Sequence, residues 1–310
     1  MSDYSKACYL CDRTGLERLP KFPWLVKCSA CGLVYNPALS FDAKDVSQQF
    51  YDELNMAHRK KIQSVLLSTS RSRWKWLHGQ LSVDPGTLLE IGCGTGEFLV
   101  MAQRDGWKVE GLELSDSFRL AAKDWYGLSL KNKELEQANI APDSFNAVVL
   151  LHVFEHLPNP LEFLAQASRV LKQEGWLFII VPNLASWTDD LFGKSNPTLI
   201  KKDHFFHYNC STLRETISKS DFEVVELTTY EPPHHIWTSL YWYLSMRRKA
   251  SRRQGLQGKP GGSPSLLGWF RSNLPYWAGT LASLFLWPLR FGLQKNNRGH
   301  EIYLLCRRRR

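Results

Sequence analysis

No stretch near the start of the chain is apolar for long enough to act as a secretory signal; MSDYSKACYL has no such core, and the expectation is a protein that is not secreted. Cysteine is scarce. Seven in 310 residues are too few for a disulfide scaffold and point to thiols or metal in a cytosolic setting. Extremes of composition are missing too: with 44% hydrophobic and 22% charged residues the chain reads as folded, not disordered. No internal repeat is visible. Acid almost vanishes toward the end, where residues 247–310 hold 14 Lys/Arg and a single acid, Glu301, a balance of +13. The remainder holds 25 basic and 29 acidic residues, or −4, so the overall +9 belongs to the tail. Charge segregated in this way marks an anionic partner surface, either lipid headgroups or nucleic acid.

What is present falls into five segments. Residues 1–45 carry two cysteine pairs. Residues 46–81 read as a helical connector, with Ile62, Val65, Leu66, Trp74, Leu77 and Leu81 at helical spacing. Residues 82–230 alternate short apolar runs (TLLEIG, KVEGLEL, LSLKN, NAVVLLHV, GWLFIIVPN, FEVVELTT) with amphipathic stretches, the pattern of an α/β doubly wound sheet. A Trp-rich basic insert spans 231–299, with GKPGGSPS at 258–265 as a hinge. Residues 300–310 add a last strand, EIYLLCR, and a basic tail.

The stretch LLEIGCGTGEFL, residues 88–99, runs from an apolar strand through a glycine turn into a helix. Glycine lets a ligand approach the backbone, and the helix start offers free N–H donors. The dinucleotide fingerprint G-x-G-x-x-G is absent: the third of Gly92, Gly94 and Gly96 comes one residue early, and position 97 is Glu. That argues against a nicotinamide or flavin cofactor. The next apolar run ends in Glu113, 17 residues after Gly96, where a carboxylate can accept both hydroxyls of a ribose.

With Glu90 ahead of the turn, this combination resembles the class I methyltransferases that use S-adenosylmethionine (SAM). The resemblance runs from about 85 to 230 and includes residues 144–183, similar to that family's fourth strand, following helix and fifth strand. It implies a Rossmann-like methyltransferase sheet with a seventh, antiparallel strand, HEIYLLCRR. It further implies that Glu90 orients the methionine end of SAM, that Gly92, Gly94 and Gly96 line its carboxylate and sugar, that Glu113 holds the ribose, and that Glu134 and Leu135 contact adenine. Cys93, Leu114 and Leu151 complete the expected cofactor set, although the thiols of Cys93, Cys210 and Cys306 are unpaired by spacing and read as packing. The reaction implied is an in-line displacement on the sulfonium methyl, which needs alignment and exclusion of water more than a strong catalytic group. A base is required only where the acceptor must lose a proton.

Ionisable residues cluster after two strands: His152, Glu155 and His156 after the fourth, and Asp203, His204, His207 and Tyr208 in KKDHFFHYN after the fifth. Both stretches should project from the carboxyl edge of the sheet, where open α/β sheets bind ligands. The Glu-His pair before Leu-Pro-Asn-Pro resembles small-molecule methyltransferases, the quinone O-methyltransferase group among them. It is also similar to the E-x-x-E-H of small-RNA terminal 2′-O-methyltransferases, which holds a divalent metal with a later His, but here His152 stands in place of the first acid. Three roles stay open: His156, His204 or His152 as general base, a second metal at His152, Glu155 and His156, or histidines that cap helices and shape the pocket.

Cys8-x-x-Cys11 and Cys28-x-x-Cys31 are two knuckles that together can close a tetrahedral structural zinc site, redox pairs or free thiols being the alternatives. The segment LVKCSACGLVYNP followed by QQFYDELN is similar to the zinc-ribbon leader of methyltransferases from polysaccharide, lipid and natural-product pathways. In the resembling fold the sixth and seventh strands meet at the carboxyl edge, so everything in 231–299 leaves and returns on the face of the site. This insert holds Trp237, Trp242, Trp269, Trp277 and Trp287, and 272–289 carries no charge. Such composition between basic clusters is interfacial. Pro275 and Pro288 argue against a full span, and a monotopic contact with an anionic membrane surface is the expectation, with a lid or dimer interface, or an RNA surface, as rivals. Aromatics beside Arg suit single-stranded RNA, but the aliphatic run LASLFLWPL suits it poorly. The implied acceptor is a small or lipid-linked molecule (sugar, glycolipid or quinone-like) methylated on oxygen or carbon, with RNA as the rival. The expected location is the cytoplasm, peripheral to the membrane's cytoplasmic face.

Overall fold

Two sheets organise the residues that the structure, a computed structural model, describes: 7–20, 22–37, 59–81, 84–192, 204–232 and 287–309, with Met56 and Ile236. The smaller sheet begins with β1 (Leu16–Leu19), β2 (Phe22–Cys28) and β3 (Val34–Tyr35), an antiparallel meander. The connector forms helix α1 (Gln63–Gln80), which buries Trp74 and Leu77. Then β4 (Thr87–Ile91), α2 (Glu97–Arg104), β5 (Lys108–Leu112), α3 (Asp116–Tyr126), β6 (Phe145–Leu151), α4 (Pro160–Val170) and β7 (Leu171–Pro182) alternate as the periodicity predicts. A short helix α5 (Trp187–Phe192), strand β8 (Phe206–His207), α6 (Cys210–Ser218), β9 (Phe222–Tyr230), α7 (Trp287–Lys295) and β10 (Glu301–Arg308) follow.

Local chemistry sets the helix boundaries. Ser115 caps α3 by accepting from the Phe118 N–H, and Gly127 ends that helix in the left-handed region. Pro160 stands in the first turn of α4. Asn209 and Thr212 close a reciprocal capping box on α6.

The larger sheet has the order β5-β4-β6-β7-β10-β9. Its first four strands are parallel, and β10 runs antiparallel between β7 and β9. The last strand therefore starts at the carboxyl edge, where Glu301 pairs with both Pro182 and Tyr230. LSLKN does not extend the sheet as a full strand; it contributes one parallel bridge, Leu112 to Lys131, and two main-chain hydrogen bonds at Lys131. Among the described residues it lies at the edge, with a partner on one side only.

Side-chain alternation along these strands divides the core into two layers. Leu89, Val148, Leu150, Leu177 and Ile179 face α4 and α6, while Leu88, Val149, Phe178, Ile180 and Tyr303 face α1 and α2. The connector is thus one wall of the sheet's sandwich. Trp74 stacks edge-on to Phe98 and Trp107 and donates its ring N–H to Asp105 at 2.6 Å.

The small sheet does not close within residues 1–45. Its fourth strand is β8, supplied from beyond β7, and its buried residues Cys8, Leu10, Val26 and Leu33 are continuous with the core under the large sheet. Asp203, QQFYDELN, the hinge at 258–265 and nearly all of the 231–286 region lie outside the described residues. No described helix is long and apolar enough to cross a membrane.

Candidate active site

Strand β4 ends in Glu90 and Ile91, and the chain then turns through Gly92, Gly94 and Gly96, all with left-handed φ (62°, 56° and 85°). Two of these glycines serve different needs. A Cβ on Gly92 would lie 2.6 Å from Val153, a packing demand, whereas at Gly94 the nearest atom is an Arg59 nitrogen at 3.5 Å. Gly94 therefore keeps open the space above the turn, where a ligand can approach the backbone.

Glu113 sits just past β5 with both carboxylate oxygens placed. One accepts from the Gly94 N–H at 2.8 Å and the other from the Ser115 N–H at 2.9 Å. Burial raises its pKa despite those donors. Glu90 is buried, has one oxygen without a hydrogen-bond partner, and is raised well above the carboxylate range, first by burial and then by the charges of Glu97 and Glu113. A buried acid with one oxygen unmet by a donor matches a site for a cationic ligand group.

Among the other expected cofactor contacts, Leu135 is buried and Glu134 precedes its short 3₁₀ turn, Leu151 is half-buried, and Leu114 is exposed. Cys93 is buried beneath Gly111, and burial pushes its thiol well up.

Arg59, read in the sequence only as connector helix, lies over this turn. It donates to Thr95 Oγ1 at 3.1 Å, stands 3.7 Å from Glu97 and stacks 4.8 Å above the Phe118 ring. The basic run HRKK was the available signal, but helical spacing gave it no address.

The loop after β6 lies beside the glycine turn because β6 pairs with β4. His152 takes up a left-handed φ of 57°, a conformation of the kind that clusters at functional sites. Its Nε2 lies 3.0 Å from Glu301 Oε1, and its Nδ1 is 3.7 Å from Glu155. Arg73, from α1, reaches the same Glu301 oxygen at 2.7 Å. Burial and Arg73 disfavour a charged His152, but Glu301 and Glu155 outweigh them and its pKa is raised. Burial also opposes ionisation of Glu301, yet Arg73 and His152 hold it well below the usual range. His152 is thus held between two carboxylates. Neither Arg73 nor Glu301 lies in a motif that marks a site, although Glu301 is the lone acid of the basic tail.

A second group forms across the loop. Glu155, His156 and His204 each bring a ligand atom to within 4.8 Å of the others. The His156 and His204 rings meet edge to face with centroids 4.7 Å apart, and His207 lies behind, 5.8 Å from His204. Glu155 and His204 are buried, His156 half-buried. The set differs from the His152, Glu155 and His156 grouping expected from spacing, because His152 is turned to Glu301 and His204 takes its place.

The four ribbon thiols also converge, with Cys8–Cys31 and Cys11–Cys28 sulfur pairs each 3.6 Å apart. Zinc–sulfur bonds of about 2.3 Å in a tetrahedron set sulfurs about 3.8 Å apart, so the donor set fits a structural zinc. Burial raises the Cys28 thiol, but the N–H groups of Cys31 and Ala30 and the neighbouring thiols pull it down to about 7.

A family model described as a methyltransferase domain matches residues 67–227, just over half of the chain. The chain belongs to this methyltransferase family. It is 24% identical over 119 residues to a ubiquinone biosynthesis O-methyltransferase of Paracidovorax citrulli, and these cover 36% of this chain and 50% of that protein. It is 26% identical over 175 residues to the protein of the same name from Burkholderia orbicola, covering 52% and 75%. The chain thus spans about half the length of the first of these relatives. A crystal structure of a SAM-dependent methyltransferase from Archaeoglobus fulgidus superposes with a TM-score of 0.52 at 15% identity, covering 82% of this chain and all of that one. This likeness concerns the fold, which is that of the class I methyltransferases.

Proposed function

We propose that the chain transfers the methyl group of SAM to an oxygen of a small, quinone-like or lipid-linked acceptor. The observation that carries this reading is the Glu155–His156–His204 group, buried except for half-buried His156, standing beside the glycine turn at one edge of one sheet. Family membership and the Glu90, Gly94 and Glu113 arrangement support SAM as donor, and the O-methyltransferase relatives support oxygen as acceptor atom. A hydroxyl must shed its proton as the methyl arrives, and His156, half-buried, is placed to take it. His204, almost wholly buried, is its orienting neighbour.

A divalent cation is the second reading, favoured by the single 4.8 Å cluster of one carboxylate and two imidazoles. Such an ion would lower the acceptor hydroxyl's pKa and so supply part of the work of a base.

The charge of the described tail favours a small acceptor over RNA. Strand β10 ends at the edge of the sheet opposite the site, where Arg307 pairs with Glu174 at 2.7 Å and Arg308 with Asp143 at 2.5 Å. An anionic membrane surface is part of the proposal. It is supported by the insert's composition and by Leu289 and Phe291, exposed on either side of Arg290 in α7 at the site's edge. Incubating the protein with methyl-labelled SAM and fractions of a lipid and metabolite extract tests the acceptor. Label in a phenolic or lipid-linked hydroxyl is the expected result; label confined to RNA would reject it. Sedimentation with anionic liposomes tests the surface, and unchanged binding after deletion of 231–299 would exclude it.

A further inference from the structure

We infer that the zinc ribbon is a positioning device for the acceptor-side histidines, acting through β8. This inference rests on the reading of Glu155, His156 and His204 as the acceptor side of the site. The connection is short and entirely main-chain. Strand β3 begins three residues after Cys31, the last thiol of the second knuckle. The knuckle itself is closed by the Gly32 N–H on the Cys28 carbonyl and by the Cys28 N–H on the Leu33 carbonyl. From there Val34 pairs with His207 and Tyr35 with Phe206, and the Asn36 N–H donates to the Phe205 carbonyl at 2.9 Å. Phe205 in turn donates its N–H to the Glu155 carbonyl, also at 2.9 Å. The strap 204–208 is therefore hydrogen-bonded on one side to the ribbon and on the other to the loop that carries Glu155 and His156.

Ring contacts follow the same line. Phe206 packs against Tyr9 and Tyr35 of the ribbon at 5.0 and 6.0 Å, and against Tyr208, which stacks on Phe154 beside Glu155. Two residues of strand are too short to hold a register alone. Without the ribbon, β8 has no strand partner among the described residues, and the strap keeps only one side of the bonding that sets His204 against Glu155. The glycine turn and Glu113 use none of these contacts: Gly92 and Cys93 donate their N–H groups to the Leu112 carbonyl at the end of β5, and Glu113 accepts from Gly94 and Ser115. The ribbon should thus govern acceptor chemistry and leave cofactor binding alone.

Asn36→Pro in the full chain tests this, because it deletes the one N–H given to Phe205 and spares all four thiols; Asn36→Ala, which keeps that N–H, is the control. Four readings are taken: zinc per chain, SAM affinity by calorimetry, the imidazole NMR signals of His204 and His156, and methyl transfer. For Asn36→Pro the expected result is full zinc, SAM affinity within about twofold, displaced imidazole signals and transfer reduced roughly tenfold, the scale of one lost buried hydrogen bond. Asn36→Ala separates loss of the side chain from loss of the N–H, and its imidazole signals and transfer should shift much less than those of Asn36→Pro. Unmoved imidazole signals in Asn36→Pro, or loss of SAM binding along with transfer, would overturn the inference, as would an equal defect in Asn36→Ala. The imidazole signals report even if no acceptor is ever methylated, so failure of the proposed activity and failure of the coupling are separable.

Discussion

Gly92 and Gly94 stand two residues apart in one turn, share a left-handed backbone, and should respond in opposite ways to alanine. Placing any side chain at their φ values of 62° and 56° costs about 1–2 kcal/mol of stability. At Gly92 the new methyl would also lie 2.6 Å from Val153 Cγ2, and forcing that loop aside adds about 1–3 kcal/mol. At Gly94 it meets nothing closer than the flexible Arg59 head at 3.5 Å, so the backbone term stands almost alone. If the space above Gly94 belongs to the cofactor, its methyl displaces the ligand, and affinity should fall by about tenfold or more, equivalent to at least about 1.4 kcal/mol. Thermal unfolding without ligand and SAM titration calorimetry separate the two effects. Gly92→Ala should melt markedly lower; Gly94→Ala should melt nearer the parent yet bind SAM poorly. Parental SAM affinity in Gly94→Ala would refute the assignment of that space.

Three further outcomes are expected. Glu301→Gln leaves the half-buried Arg73 and His152 without their buried counter-charge and should cost about 2 kcal/mol, read by denaturant unfolding; a cost under about 0.5 kcal/mol would show the network to be solvent-screened. Its pH dependence has a defined sign. The depressed Glu301 contributes stability above about pH 4.3 that is lost as pH falls through its folded pKa, while the raised His152 contributes below about pH 6.5 and loses it as pH rises through its own. The Glu301→Gln penalty should therefore be largest between those limits, and a flat penalty from pH 3 to 9 would contradict the pairing. Because Glu90 is raised well above its usual range and one of its oxygens meets no donor, binding of cationic SAM should release up to about one proton per chain; calorimetric enthalpies independent of the buffer's ionisation heat would show that Glu90 is already charged. His156→Gln should retain SAM affinity while methyl transfer to a hydroxyl acceptor drops about 10²-fold or more, and undiminished turnover would remove it as the base.

The parts of this molecule that were legible in the sequence are those whose meaning is local. LLEIGCGTGEFL reads directly because strand, turn and helix start are adjacent and each glycine answers a backbone demand nearby. Trp74 and Leu77 were legible through helical spacing, and the antiparallel last strand through its apolar run and the family resemblance. What escaped depended on partners far along the chain. Glu301 meets His152 across 149 residues, and no periodicity in either segment announces the other. Phe206 and His207 pair with the ribbon although two residues show no alternation, so the ribbon reads as complete within its own segment. LSLKN has the alternation of a strand, but pairing also requires a neighbour, and the edge position gives it just one bridge.

The same distinction separates the histidines. By position in the chain, His152 and His156 were equivalent candidates, each a few residues past β6. Geometry makes them unlike. His152 Nε2 lies 3.0 Å from Glu301 and 2.9 Å from Arg73, and Nδ1 faces Glu155; the two carboxylates outweigh Arg73 and raise the ring's pKa, which disfavours it as a proton acceptor. Its left-handed backbone holds the loop in the turn that carries Glu155 and His156 onward to His204. A residue so engaged anchors α1, β6 and β10 to one another at the sheet's edge. His156, half-buried and edge-on to His204, is the ring placed to meet an acceptor. His152 then acts through the loop it holds, so losing it should cost stability and acceptor alignment together, whereas losing His156 should cost turnover far more than stability.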